Sequence, residues 1–283
     1  MLKRTVLSLV VLAPVACGGT DPSGPNPNPI TDPGSGRFVV TGKAALRACA
    51  ECPEWTPDPG MTYRTPDAMR TGVLKVEILR SASDAQPHAL VDYAAPLDVD
   101  LIAGATFADV DVATIPLATY SHMRVTLANS AYSVPARAHA SATVALDGAL
   151  EVDYAISDYA DATLGPRRQG DFFAAWESPL APAVTRSGNH PITYPPAYPG
   201  AAVDTSGGAY RVTFELPGGP VQVAASQVTM VDARVTYYVE DAFGWVDVDV
   251  PGNSPGVLDL STDPAANEDP ASLAVRGFSI AVQ

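Results

Sequence analysis

Short segments in which apolar and polar residues alternate recur along this chain of 283 residues. They constrain its fold more than any other feature, because alternation places every second side chain on one face of a β-strand. The clearest segments are 73–80, 120–128, 150–156, 210–216, 235–239 and 246–250; further candidates are 37–47, 97–102, 107–112, 139–146, 221–230 and 272–282. Half-polar strands are typical of antiparallel sheets with one face in water. The sequence therefore predicts an all-β fold, an antiparallel β-sandwich of about twelve strands.

Two irregular stretches interrupt the spacing of these segments. They are residues 48–71 and the proline-rich residues 158–208. A loop as long as the second is often a linker, so it could separate two domains. The part after it holds only about five strand candidates, fewer than a sandwich needs on its own. We therefore expect one β-sandwich domain over residues 37–283, with a subdivision near residues 158–208 as the alternative.

The first sixteen residues have the pattern of a secretory signal peptide. Lys3 and Arg4 precede an apolar run over residues 5–15, which is shorter than the ~20 residues of a membrane-spanning helix. A cysteine, Cys17, stands where cleavage is expected. The end of the segment, Val15-Ala16-Cys17-Gly18, resembles the lipobox of bacterial lipoproteins. The resemblance implies that Cys17 becomes the lipidated first residue of the mature chain, whereas the alternative is ordinary cleavage with Cys17 unmodified.

Residues 17–36 have the composition of a flexible tether. Five prolines lie between Ser, Thr, Asn, Asp and Gly, a mixture that cannot bury a core. An extended chain of this length reaches on the order of 60 Å at about 3.1 Å per residue. Gly18 is not the aspartate that, in bacterial lipoproteins, retains the chain at an inner membrane. We therefore expect a disordered N-terminal tether that holds the domain at the cell envelope, in the outer membrane or at the cell surface.

The negative net charge of the chain argues against nucleic acid as a partner. The chain has 31 acidic and 17 basic residues, a formal net charge of −14. Contacts with phosphates need a basic surface, so we expect no binding of nucleic acid.

Two cysteines remain beyond the anchor, Cys49 and Cys52, within Cys-Ala-Glu-Cys-Pro-Glu-Trp. Outside the cytoplasm two thiols this close most often form a disulfide. Free thiols, a redox pair or a metal site are the alternatives. Glu51 would oppose thiolate formation in a redox pair, and a zinc site would need two further ligands.

A second resemblance concerns residues 115–127. The segment Ile115-Pro-Leu-Ala-Thr-Tyr120, followed by an alternating strand to Leu127, is similar to a turn-and-strand motif of secreted bacterial lipoproteins and of transthyretin-like β modules. The resemblance covers 13 residues. It implies a β-sandwich and brings no catalytic residue with it.

Two motifs of known catalytic chemistry, Ser-x-x-Lys and His-Glu-x-x-His, are absent from the sequence, and the four histidines are scattered. The spacing Gly-x-Ser-x-Gly occurs once, at residues 252–256. Residues 259–269 form an acidic loop that could bind Ca²⁺ through Asp259, Asp263, Glu268 and Asp269. The alternative is that Asp-Pro and Asn in this loop only form turns. We expect no cofactor, with Ca²⁺ as the one candidate.

Aromatic residues near turns are the best candidates for ligand contacts. Such side chains stack on sugar rings or anchor protein partners. The candidates are Trp55, Trp176, Tyr194, Tyr198 and Trp245. The alternative is that they cover the ends of the sandwich core.

These features together favour a non-enzymatic lipoprotein of the cell envelope, whose β-sandwich is a binding or structural module for a glycan or a protein. One alternative is a secreted hydrolase of polysaccharides, which would have two carboxylates ~5–10 Å apart in a cleft beside aromatic rings. Another is a subunit of an envelope assembly, which would expose an apolar patch.

Overall fold

The computed structural model describes residues 36–50, 56–141, 144–189, 197–198, 200–223, 230–273 and 275–283. The described residues form 21 β-strands and two short 3-10 helices, which confirms the all-β class. Gly34–Gln283 make up one compact unit. The signal peptide, Cys17 and the tether up to residue 35 lie outside the described residues, so these expectations stay predictions.

The strands are numbered in chain order. They are β1 (Arg37–Ala45), β2 (Met61–Arg64), β3 (Ala68–Leu79), β4 (His88–Asp100), β5 (Ala105–Asp111), β6 (Ala118–Tyr120), β7 (His122–Ser141), β8 (Val144–Ala155), β9 (Tyr159–Asp161), β10 (Gly165–Arg167) and β11 (Asp171–Ser178). They continue as β12 (Ala181–Asn189), β13 (Ala197–Tyr198), β14 (Ala201–Asp204), β15 (Tyr210–Glu215), β16 (Val221–Val223), β17 (Val231–Tyr238), β18 (Phe243–Val246), β19 (Leu258–Leu260), β20 (Pro270–Leu273) and β21 (Gly277–Val282). The 3-10 helices are Val112–Thr114 and Ser206–Gly208.

Strand β7 organises the largest sheet, which has ten strands. On one edge β7 pairs with β3 along its first half and with β19 further on. On the other edge it pairs first with β15 and then with β8. At 20 residues β7 is long enough to serve two neighbours on each edge in turn. Strands from both sides of residues 158–208 consequently share this sheet.

Ser157 lies at the point where the neighbour of β7 changes from β15 to β8. The side chain is fully buried. Its hydroxyl donates a hydrogen bond to the carbonyl oxygen of Leu127 and accepts one from the backbone N–H of Tyr210, 2.7 Å away. These contacts give backbone groups of β7 and β15 a partner at the junction of the two ladders, since a buried N–H or C=O without a partner is costly.

A four-stranded sheet in the order β21-β17-β1-β5 forms the second layer. Strands β1 and β17 pair in parallel, and the other two pairs are antiparallel. Aromatic rings join the layers: Phe214 of the large sheet packs edge-on against Phe278 of the small one, with ring centroids 6.1 Å apart. Phe278 in turn contacts Tyr237, at 5.2 Å between centroids. The core therefore lies between the two sheets, as the β-sandwich prediction requires.

Two of the aromatic residues expected to contact a ligand lie in this core instead. Trp176 and Trp245 are each only 1% exposed. A methyl group on Gly148 would lie 2.7 Å from the indole ring of Trp176, so the ring rests directly on the β8 backbone. Trp176 and Trp245 therefore contribute to packing, which was the alternative interpretation of these side chains.

The number of strands exceeds the twelve that alternation predicted. The additional strands are mostly short and lie in the two irregular stretches, as β2 and β9–β14. A strand of two to four residues is too short for a period of two to be recognised. Gly165 and Gly170, both with positive φ, permit the tight turns in this part of the chain.

One predicted strand ends early. Residues 246–250 alternate, but β18 ends at Val246. Beyond it, the N–H of Val248 donates to Oε1 of Glu268 at 2.8 Å, and Asp247 accepts hydrogen bonds from Thr62 and from the N–H of Gly256. Side-chain carboxylates take the place of a neighbouring strand here, so the segment continues as an ordered loop.

Candidate functional site

The outward face of the ten-stranded sheet carries a patch of small and polar residues. Strand pairing brings side chains of β3, β7, β8 and β11 into rows that cross the sheet. One row is Arg70, Ala131, Asp153 and Phe173, and the next is Ala68, Ser133, Glu151 and Ala175. Residues two apart on a strand share a face, so both rows point the same way. Asp153 and Glu151 of β8 thus have alanines among their neighbours in these rows, and these small side chains leave space above the sheet.

A cavity of about 340 Å³ occupies this space. Alanines and Gly72 form its floor, residues 159–162 of the β9–β10 hairpin form one wall, and Pro96 and Asp98 of β4 contribute to its lining. A methyl group on Gly72 would lie 2.5 Å from Oδ1 of Asn129 and 2.9 Å from Pro96. The absence of a side chain at Gly72 is therefore what allows Asn129 to lie against the floor.

Asp153 is a partly buried carboxylate of the cavity, held by an amide and a guanidinium. Its Oδ2 accepts a hydrogen bond of 2.6 Å from Nδ2 of Asn129, and its Oδ1 lies 3.6 Å from Nη2 of Arg167. Arg167 is almost fully buried and donates to the carbonyl oxygens of Asp153 and Asp171. Burial raises the pKa of Asp153, although the bond from Asn129 and the charge of Arg167 lower it in part.

Tyr159 reaches the same cavity from the hairpin. Its hydroxyl oxygen is buried and has no hydrogen-bond partner among the described residues. Oδ1 of Asp153 is buried in the same way and also lacks a hydrogen bond within that part of the chain. Burial, followed by the negative charge of Asp153, raises the pKa of Tyr159 above its usual value. The phenol therefore stays neutral at physiological pH and can both donate and accept.

The remaining charged groups give the cavity a negative lining. Glu151 is exposed and makes no hydrogen bond or ion pair with the described residues. Asp161 accepts the N–H groups of Thr163 and Leu164, both at 2.7 Å, and so shapes the hairpin turn. Arg70 forms an ion pair with Asp98. Four carboxylates and one guanidinium line the cavity, and Arg167 beside Asp153 places a second positive charge close to them.

The structure brings two of the four calcium candidates together, in a buried arrangement. Asp259 and Glu268 are both fully buried, and Oε2 of Glu268 accepts the N–H of Asp259 at 2.8 Å. Asp259 also accepts from Nε2 of His139 at 2.7 Å and from the N–H of Ser254. Burial raises the pKa of Glu268. These carboxylates hold the loop in place by bonding its backbone.

The other two candidates lie apart in the same loop. Asp263 accepts the N–H of Ala265, and Asp269 pairs with Arg186 at 2.8 Å. Within the described residues, no three His, Cys, Asp or Glu side chains are grouped in a way that could hold a metal ion. The carboxylates of the acidic loop thus have partners within the protein.

Several predicted residues cannot be compared with the structure. Cys52, Trp55 and Tyr194 lie outside the described residues, so the disulfide of Cys49 with Cys52 stays a prediction. The backbone of Tyr198 belongs to β13 and pairs with Ala201. Of the aromatic candidates, Trp176 and Trp245 are the two whose side chains the structure describes, and both are buried in the core.

The sequence pattern does not locate the cavity, although it places part of the lining correctly. The alternation over residues 150–156 put Glu151 and Asp153 on the polar face of one strand. Which strands stand beside that face is decided by pairings between residues far apart in the chain, such as Asp153 with Ala131. The small residues Ala131 and Ala175 were a usable signal, because alanine is depleted in strands.

Comparison of the chain with protein-family models, curated proteins and solved structures finds no match. Among the described residues, no helix combines the length and the apolar character that crossing a membrane requires. The function is therefore inferred from the residues and geometry of the chain itself.

Proposed function

We propose that this protein is a lipid-anchored binding module of the cell envelope that binds a glycan in the cavity of its large sheet. The cavity is the observation that carries the proposal. Its volume of about 340 Å³ lies at the lower end of the ~300–1,000 Å³ typical of small-molecule sites. Tethering at Cys17 and export to the envelope are parts of the same proposal and rest on the sequence.

The chemistry of the lining suits a polyhydroxylated ligand. Carboxylates and an amide accept or donate hydrogen bonds to several hydroxyl groups, and Asn129, Asp153 and Glu151 supply such groups side by side. The rings of Phe173 and Tyr159 offer apolar surface at the same place. A few converging polar groups beside aromatic surface are what small polar ligands require.

A glycan array tests the proposal. The mature chain from residue 17, carrying Cys17→Ser so that it stays soluble, is screened, and hits are measured by calorimetry. We expect Asp153→Asn to weaken binding at least about tenfold, because a hydrogen-bonded carboxylate of the site is lost. The matched control is Asp109→Asn, which removes an exposed carboxylate on the other sheet. Absence of any glycan ligand, or equal loss in both variants, would overturn the proposal.

A second candidate function is hydrolysis of a glycan at the same site. It is favoured by the raised pKa of Asp153, which suits a general acid, and by Glu151 on the same face of the strand. Residues two apart on a strand share a face, so Glu151 and Asp153 line the same cavity as the pair of carboxylates in a glycosidase does. Release of reducing ends that Glu151→Gln and Asp153→Asn both abolish would establish hydrolysis in place of binding alone.

A further inference from the structure

We infer that β21, at the edge of the four-stranded sheet, pairs with β21 of a second copy of this chain. This association does not depend on the proposed glycan site. Three observations carry it: backbone groups that face away from the sheet, inward side chains that are only partly covered, and a strand without charge.

The outer edge of β21 presents backbone groups to solvent. Within the described residues β21 pairs with β17 alone. At the end of this ladder Asp232 and Gln283 exchange both backbone hydrogen bonds, at 3.1 and 3.0 Å. Because bonded and non-bonded pairs alternate along an antiparallel ladder, the N–H and C=O of Ile280 and Val282 point away from β17. No backbone group in the described part of the chain meets them there, so a further strand can pair with this edge.

The side chains of the same two residues are incompletely covered. Ile280 and Val282 pack against the hydrophobic core but are only partly buried. Their cross-strand neighbours on β17, Val235 and Ala233, are almost fully buried. The cover of the core therefore ends at β21, and a strand added beside it would remove further apolar surface from water.

The composition of β21 also distinguishes it from the other long edges. Its sequence, Gly-Phe-Ser-Ile-Ala-Val, has no charged residue and no proline. Charged side chains and prolines are the usual means by which a protein prevents its sheet edges from pairing with other chains. Each of the other edge strands with six or more described residues contains such a residue: Pro96 in β4, Asp109 and Asp111 in β5, and Arg186 in β12.

A second copy of the chain is the partner that fits this edge best. The formal net charge of −14 makes two copies repel each other, and this repulsion is weakest where a surface carries no charge. A two-fold axis places the same strand antiparallel to itself. Ile280 and Val282 of one copy then lie beside the same two residues of the other, so apolar side chains meet apolar side chains.

The test measures association and its location together. The mature Cys17→Ser chain is studied by sedimentation equilibrium from about 1 μM to about 1 mM, and amide hydrogen exchange is measured at both ends of this range. We expect the mass to double. We also expect the amides of Ile280 and Val282 to exchange at least about tenfold more slowly at the higher concentration, because they gain acceptors. The amide of Ala281, which faces β17, should change little and serves as the internal control.

A chain that stays monomeric over the whole range would overturn the inference, and the edge would then be open to a strand of a different protein. A dimer in which the exchange of Ile280 and Val282 is unchanged would overturn it as well, because the copies would meet at another surface.

Variants test the edge directly. Ala281→Lys places like charges close to each other across the two-fold axis, so we expect it to weaken association at least about tenfold. Ala202→Lys, at an exposed alanine of β14, makes the same charge change away from the edge and should leave association unaltered. Val282→Pro removes an N–H that faces the second copy and makes no bond to β17, so it should weaken association too.

Thermal unfolding verifies that each variant is folded. If Val282→Pro does not fold, the comparison of Ala281→Lys with Ala202→Lys decides the question. Association that Ala281→Lys leaves intact, or that Ala202→Lys weakens equally, would contradict pairing through β21.

Discussion

Asp153 illustrates how one residue can oppose stability in order to form a site. It alternates with apolar neighbours on β8, as the polar face of a strand should, yet burial raises its pKa. The folded protein therefore favours the protonated form of a group that an exposed strand would keep ionised. Residues of this kind are common in binding sites, where stability and function conflict.

The stability of the protein should reflect this carboxylate. Since the pKa of Asp153 is higher in the folded state than in the unfolded chain, the folded state binds more protons between the two values. Its contribution to stability therefore falls as the pH rises through that window. Asp153→Asn removes this ionisation, so we expect the variant to unfold at a higher urea concentration than the wild type at neutral pH.

The control for this experiment is Asp109→Asn, an exposed carboxylate paired with Arg37, which should change stability by no more than about 1 kcal/mol. Urea unfolding is measured at acidic and at neutral pH. A midpoint for Asp153→Asn at or below that of the wild type at neutral pH would contradict the role assigned to burial.

At the scale of elements, the β9–β10 hairpin is what turns a sheet face into a cavity. Its two strands have three residues each and pair only with one another. Oδ1 of Asp161 accepts two backbone N–H groups, and Gly165 has a φ of 77°. A two-stranded hairpin is marginally stable alone, so these turn contacts are needed to keep residues 159–162 in position at the cavity.

Loss of the turn contacts should therefore loosen the wall without unfolding the sandwich. We expect Asp161→Ala to increase hydrogen exchange of the amides of residues 162–165 about tenfold, because two N–H groups lose their acceptor. Global stability should change by about 1 kcal/mol or less. The matched control is Asp263→Ala, which removes a similar turn acceptor far along the chain. Unchanged exchange in residues 162–165 would show that other contacts hold the hairpin.

For the whole molecule, the proposal combines a folded unit with an anchor. Gly34–Gln283 have a continuous core between two sheets, and the formal net charge of −14 favours solubility and opposes attraction to anionic lipid surfaces. A protein with such a surface needs a covalent link to remain at a membrane. We propose that lipidation at Cys17, within the lipobox-like residues 15–18, supplies this link.

Metabolic labelling tests the anchor. Cells that express the full chain are grown with labelled palmitate, and the protein is recovered from membrane and soluble fractions. We expect the wild type to carry label in the membrane fraction, since several buried acyl chains give a stable anchor. Cys17→Ser should lose the label, and the matched variant Cys49→Ser should keep it. Label retained by Cys17→Ser would rule out this site of lipidation.

Strands β15 and β3 show where alternation predicts the burial of side chains correctly and where it does not. In β15 the alternation correctly placed Tyr210, Val212 and Phe214 in the core. In β3, Glu77 was expected to face water but is buried, in an ion pair with Arg124 at 2.8 Å. Alternation reports which side chains share a face, but it does not report that β3 lies between β4 and β7, whose side chains cover that face.

By itself, the sequence determined the all-β class and the side chains that turn inward on the longer strands. Both follow from the two-residue period of an extended backbone, which is a local property. Only the tertiary structure decided the register between distant strands, the burial of Trp176 and Trp245, and the meeting of β3, β7, β8 and β11 with the hairpin. These depend on pairings between residues that are remote in the chain, which a local pattern does not encode. The cavity belongs to this second group, because it is bounded by elements that no short segment contains.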